Sequence, residues 1–140
     1  MFYSFAFIIM QESFTKKISA DATQKLIKGI INIKTYLDEV FGIEKDDFIT
    51  DETLARDIQQ YYLGEGSPEI HEIKFSDPVY KPETKSGSMR LDFKIKRFYT
   101  CSAIQNEGRD YQKWTFDIDP VKETITFTGP AEDERWPDDM

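Results

Sequence analysis

The chain has 140 residues, 39% hydrophobic and 14% aromatic, with 26 Asp and Glu against 18 Lys and Arg. That length suits one domain, and the composition is too apolar and aromatic for wholesale disorder. A single folded unit over 1–130 with an acidic tail at 131–140 is expected, and its net charge of −8 disfavours direct binding of nucleic acid.

The chain opens MFYSFAFIIM. Tyr3, Phe5, Phe7 and Ile9 alternate with Phe2, Ala6, Ile8 and Met10, which predicts a strand apolar on both faces, in a central or covered place in a sheet. A secretory signal is not expected: the segment has no basic start, its apolar stretch is about ten residues, and no small-residue cleavage site follows. It is also too short to cross a bilayer.

One long helix is predicted next. Asp21 stands at capping-box spacing from Gln24, with Ser19 as a competing cap. Leu26, Ile30, Ile33, Leu37 and Phe41 follow at helical spacing, Ile27, Ile31 and Val40 widen the stripe, and Gly42 is the stop. Gly29 inside it costs about 1 kcal/mol against Ala, which points to close backbone packing there. A second helix is expected from Thr50 as cap, with Asp51 and Glu52 at the positive end of its dipole and Ile49 and Leu54 as a hydrophobic staple. Its inner face is Leu54, Ile58 and one of Tyr61 and Tyr62.

The period then changes to two. Ile73 and Phe75 predict a short strand, and Pro78, Pro82 and residues 85–88 an irregular, flexible connection. Met89, Leu91, Phe93 and Ile95 alternate with Arg90, Asp92, Lys94 and Lys96, a strand with one wet, basic face. Residues 102–110, with Asn106 and Gly108, read as a loop. Trp114, Phe116 and Ile118 form a strand, Pro120 turns the chain, and Ile125 and Phe127 bring it back. The expected fold is α+β: an antiparallel sheet of about five strands, in sequence β-α-α-β-β-β-β, with two helices packed on one face.

Chemistry is thinly supplied. His71 is the only histidine and Cys101 the only cysteine. Neither has a spacing signal for a nucleophile, a base or a metal, so His71 reads as a surface or edge residue and Cys101 as packing. A lone cysteine makes no intramolecular disulfide, which favours a cytoplasmic setting. Glu44, Asp46, Asp47, Asp51 and Glu52 lack the alternating ligands and the glycine of a calcium loop, and no glycine loop of phosphate-binding type is present. No catalytic residue, cofactor or metal is implied. Arg90, Lys94, Lys96 and Arg97 with Phe98 and Tyr99 suggest single-strand nucleic acid, but the net charge opposes it, and pairing with acids such as Asp117 and Asp119 explains them.

Charge lies in blocks: net −9 over 36–78 and net +4 over 79–101. Asp38, Glu39, Glu44, Asp46, Asp47, Asp51, Glu52 and Asp57 surround one helix-to-helix connection, so they share a surface. Such a surface is either solvated or a dock for a basic protein, with Tyr61, Tyr62 or the tail's Trp136 as aromatic anchors. The expected function is therefore non-enzymatic: binding and masking a basic partner, in concrete form a bacterial immunity-type protein that neutralises a nuclease-like toxin. The alternative is a small-molecule binder or carboxylate-based enzyme with a pocket between helix and curved sheet. Oligomeric state is not legible in the sequence.

Overall fold

The computed structural model describes residues 11–44, 47–65, 68–99 and 104–131, with backbone alone at 65, 99, 104 and 105. In chain order it holds β1 (Ser13–Lys17), α1 (Ala20–Ile27), α2 (Ile33–Phe41), α3 (Glu52–Gln60), a 3-10 turn (Leu63–Glu65), β2 (Glu69–Lys81), β3 (Ser86–Tyr99), β4 (Ile104–Asp119) and β5 (Thr124–Thr128). The strands form one antiparallel sheet in the order β1-β5-β4-β3-β2. This is the expected α+β architecture, with three helices in place of two. The strand read at residues 1–10 lies outside the described residues. Among the described residues β1 is the outermost strand of the sheet on its side.

The predicted long helix is two. Gly29 adopts φ +76°, its N–H bonds the Leu26 carbonyl and that of Ile30 bonds Lys25, so α1 ends in a Schellman motif. The glycine is there for its left-handed backbone and not for close packing, because nothing lies within 4 Å of where a Cβ would stand. The break takes Ile30 out of the stripe and leaves it 66% exposed, while Leu26, Tyr36, Leu37 and Phe41 are buried. Ser19, not Asp21, caps α1 through the Ala22 N–H. Gly42 ends α2 as expected, with φ +66°.

The long strands also differ from expectation. β2 runs straight through Pro78, where the register with β3 shifts between Ser76 and Val79; a second shift falls between His71 and Lys74. Asp77 and Glu72 take positive φ at these bulges. Proline lacks the donor a ladder needs, so an edge strand at a bulge is where it fits. The stretch expected to be flexible is therefore a hairpin: only residues 82–85 turn, Lys85 in the left-handed region, and Gly87 faces Tyr80. A Cβ on Gly87 would collide with the Val79 carbonyl and the Phe116 ring, so no larger residue fits. Pro120 opens a matching four-residue loop between β4 and β5, where Asp119 Oδ1 accepts from the Val121 and Lys122 N–H groups at 3.0 Å each. The loop read at 102–110 is strand from Ile104, since Gln105 to Asp110 pair with Phe93 to Phe98. A long β3 needs a partner along its length, and pairing outweighs the turn preference of Asn106 and Gly108.

Alternation decides which face is covered. Met89, Leu91, Phe93 and Ile95 of β3, Trp114, Phe116 and Ile118 of β4, and Ile125 and Phe127 of β5 are buried against Leu26, Tyr36, Leu37, Phe41, Leu54 and Ile58 of the helices. Each such side chain stabilises the fold by about 1.5–3 kcal/mol relative to exposure. Tyr61 and Tyr62, considered as anchors for a partner, are core residues instead. Tyr61 Oη donates to the Pro130 carbonyl at 2.8 Å and accepts from the Glu12 N–H at 2.9 Å, tying α3 to both chain ends of the sheet. Among the described residues no helix is long and apolar enough to cross a membrane.

Candidate functional site

The connection from α2 to α3 carries the acidic surface. It runs along the outer edge of β2, where the Ile49 N–H donates to the Ile73 carbonyl at 2.7 Å in an isolated bridge. Ile49 is buried by that bridge, which turns the neighbouring Phe48 outward, 44% exposed. The Lys74 ammonium lies over its ring at 5.2 Å. Glu39, Glu44, Asp47 and Glu52 are exposed, Asp47 beside Phe48 in the chain and Glu52 lining the same cleft, and none of the four makes an ion pair with another described residue.

The other sequence-predicted acids have structural employment. Asp38 pairs with Lys34 at 2.8 Å, one helical turn away. Asp51, and not Thr50, is the cap of α3: its Oδ1 accepts from the Thr53 and Leu54 N–H groups at 3.0 and 3.2 Å. Its Oδ2 takes the Lys16 ammonium of β1 at 2.7 Å. Burial pushes this carboxyl up, but the Lys16 contact and the two N–H donors outweigh burial and hold it below the ordinary value. Asp46 and Trp136 lie outside the described residues.

Asp57 lies near enough to Glu12, just ahead of β1, for the two charges to act on each other. Its Oδ2 is buried with no hydrogen-bond partner. Desolvation raises its pKa, the Arg56 charge opposes that in part, and Asp51 adds to the rise. Glu12, which the sequence did not single out, is raised in turn by burial and then by Asp57. For a carboxyl whose folded pKa is raised, the ionised form works against the fold above that pKa, and the penalty fades as pH falls through it. Asp57→Asn is therefore expected to stabilise the protein at neutral pH, by less than about 1 kcal/mol after solvent screening. The gain should vanish under acid conditions, as urea denaturation at the two pH values would show.

Phe48 lines an open cleft of about 470 Å³ together with Ile49, Ala55, Ile70 and Ile73 and the charged Glu52 and Lys94. His71 is on its rim, half-exposed, with Nε2 2.8 Å from Glu69 Oε1, the edge position expected of it. Glu12 and Asp57, the two acids with raised pKa, line none of the three clefts described on the surface. Among the described residues no group of three His, Cys, Asp or Glu is placed to hold a metal ion.

The basic strand finds acids, though not those expected. Lys94 pairs with Glu72 at 3.3 Å and Glu107 at 3.7 Å, Lys96 with Glu107 at 3.7 Å, and Arg90 with Asp92 at 3.0 Å. Asp119 is spent on its turn instead. Phe48 is the feature of this surface that the sequence did not single out. A phenylalanine next to Ile49 in a connection has no periodicity to say which of the two faces inward, and the β-bridge decides it. Against known proteins, no family model, curated protein or solved structure matches the chain.

Proposed function

We propose that the protein is a non-enzymatic acidic binding protein whose α2–α3 connection docks on and masks a basic protein, in concrete form an immunity-type protein that neutralises a nuclease-like toxin in a bacterial cytoplasm. One observation carries this reading: Glu39, Glu44, Asp47 and Glu52 stand exposed and without an ion pair among the described residues from the end of α2 to the start of α3, on either side in sequence of the exposed Phe48. Carboxylates of this kind accelerate encounter with a cationic surface and repel acidic competitors. An aromatic ring at the centre supplies the desolvated anchor that charge alone does not. The mechanism is occlusion. The carboxylates occupy the positive groove where phosphates would otherwise lie, and Phe48 fills an apolar depression within it.

The pocket reading is not adopted, because Glu12 and Asp57, the carboxyl groups with raised pKa, line none of the three described clefts.

Affinity capture from native lysate with stepwise salt elution tests the proposal, using the wild type beside E39Q/E44Q/D47N/E52Q. A basic protein should leave the wild type at moderate salt and be missing from the variant, with unchanged far-UV circular dichroism. A partner held equally by both, or one indifferent to salt, would sink the reading.

A further inference from the structure

The solvent face of the sheet holds charges that antiparallel pairing does not favour. Arg90 of β3 lies directly opposite Lys113 of β4, and two rungs along the same face Lys94 lies opposite Arg109. Like charges facing each other across a strand pair are destabilising, so two such rungs call for an explanation. Over these three rows the face carries Lys74, Arg90, Lys94, Arg109 and Lys113 against Asp92 and Glu72, with Glu107 3.7 Å from Lys94 and the charge of Asp77 near Arg90. Glu72 relieves the second pair, 3.3 Å from Lys94 and 3.2 Å from Arg109. Asp92 engages Arg90, while Lys113 has no ion pair among the described residues. Between the two rungs the guanidinium of Arg90 stacks 3.9 Å above the ring of Tyr111, which is 56% exposed. The result is a flat, cationic column with an aromatic centre on a chain of net charge −8.

We propose that this column docks the acidic α2–α3 connection of a second copy of the chain. The two patches are complementary in sign, and each holds an exposed aromatic, Tyr111 in one and Phe48 in the other. Within the chain Glu72, Glu107 and Asp92 engage Lys94, Arg109 and Arg90 but leave Lys113 without an ion pair among the described residues, and a partner that brings carboxylates, such as this chain's own acidic surface, would offset it. Net repulsion between two copies makes the contact weak at long range and short-range in origin, so it is a contact that a cationic partner displaces. The inference rests on the connection being a docking surface, as proposed above, and adds where that surface sits before its partner arrives.

Sedimentation or light scattering of the full chain against concentration and salt tests it. The wild type should rise from the monomer mass of 16.4 kDa to twice that or more at low salt. It should return to monomer when the screening length drops to about 3 Å near 1 M salt. R90Q/K113Q and E44Q/D47N/E52Q should each stay monomeric, and an equimolar mixture of the two should recover a dimer, since each supplies the patch the other lacks. R90Q/K113Q gives up the Arg90–Asp92 pair and the stack on Tyr111 along with the opposed cations, so unchanged far-UV circular dichroism is the check that it folds. R90Q/K113Q should also keep its basic partner in the capture experiment, whereas the acidic-patch variant should lose both. A wild type that stays monomeric, or variants that do not complement, would overturn the proposal while partner capture stands or falls separately. Retention of a single-stranded oligonucleotide by the monomeric wild type and not by R90Q/K113Q would assign the column to nucleic acid and overturn it as well.

Discussion

Trp114→Ala is expected to cost about 3–5 kcal/mol, the range for removing a large aromatic from a packed core. Trp114 has no exposed surface and stands on β4 in the middle of the sheet. Phe14 of β1 meets it edge-on at 6.2 Å and Tyr61 of α3 at 6.4 Å, so one ring joins an edge strand, a central strand and a helix. Gly129 passes so close that a Cβ there would overlap the indole, and a collapse to fill the vacancy would have to move backbone. A second loss is polar. The indole N–H donates to Gln112 Oε1 at 2.9 Å, and Gln112, 5% exposed, already has Nε2 without a partner. Trp114→Phe keeps most of the volume and deletes that donor, so its cost of about 1–3 kcal/mol combines the unsatisfied amide with a smaller cavity. Urea denaturation followed by circular dichroism gives both values. A loss below about 1 kcal/mol for Trp114→Ala would contradict the packing described, since native domains hold only about 5–15 kcal/mol in total.

The second large effect is expected at Asp51. Asp51→Ala removes a helix cap, worth about 1 kcal/mol, and a charge-assisted bond to Lys16, together about 2–3 kcal/mol. Its side chain is only 13% exposed, which is why the pair counts for more than a surface salt bridge. Asp51→Asn keeps the cap and drops the charge, so it should cost about half as much. The pH dependence has a definite sign. A carboxyl held below its ordinary value of 3.8 contributes stability that is fully present above that value and is lost as pH falls through the lower folded value. Asp51→Ala should therefore unfold earlier than wild type at neutral pH, and the gap should close in strong acid. The trend is opposite to that of Asp57 and Glu12, whose raised pKa values lighten their penalty as pH falls. Stability that fell with acid equally in wild type and Asp51→Ala would show that the Lys16 contact does not bind β1 to α3.

These two residues also mark how far the sequence was legible. Trp114, Phe116 and Ile118 alternate with polar neighbours, and a period of two is enough to assign a half-buried strand without knowing its partners. Asp51 was legible as an acid near the start of a helix. Its role as cap and cross-link was not, because Lys16 is 35 residues away and only the fold brings them together. Gly29 was visible too, but the same apolar stripe continues on both sides of it, and periodicity carries no information about φ. The turn-rich Asn106 and Gly108 misled for the reason that local preference is small beside a continuous ladder of pairing.

The sequence by itself determined the α+β class, the inward faces of the strands around 89–95, 114–118 and 125–127, the hairpin at Pro120, and the gathering of acids along one connection. Each of these follows from local spacing, which the chain carries whatever its long-range contacts. β1 and the outer lengths of β2, β3 and β4 were not legible in the sequence. Tertiary structure decided the rest: the order β1-β5-β4-β3-β2, the break at Gly29, the burial of Tyr61 and Tyr62, and the exposure of Phe48. It also decided which charges are spent on caps and pairs and which stay exposed without an ion pair among the described residues. Those outcomes depend on residues far apart in sequence meeting across strands and helices, where desolvation and pairing, and no local pattern, set the energy.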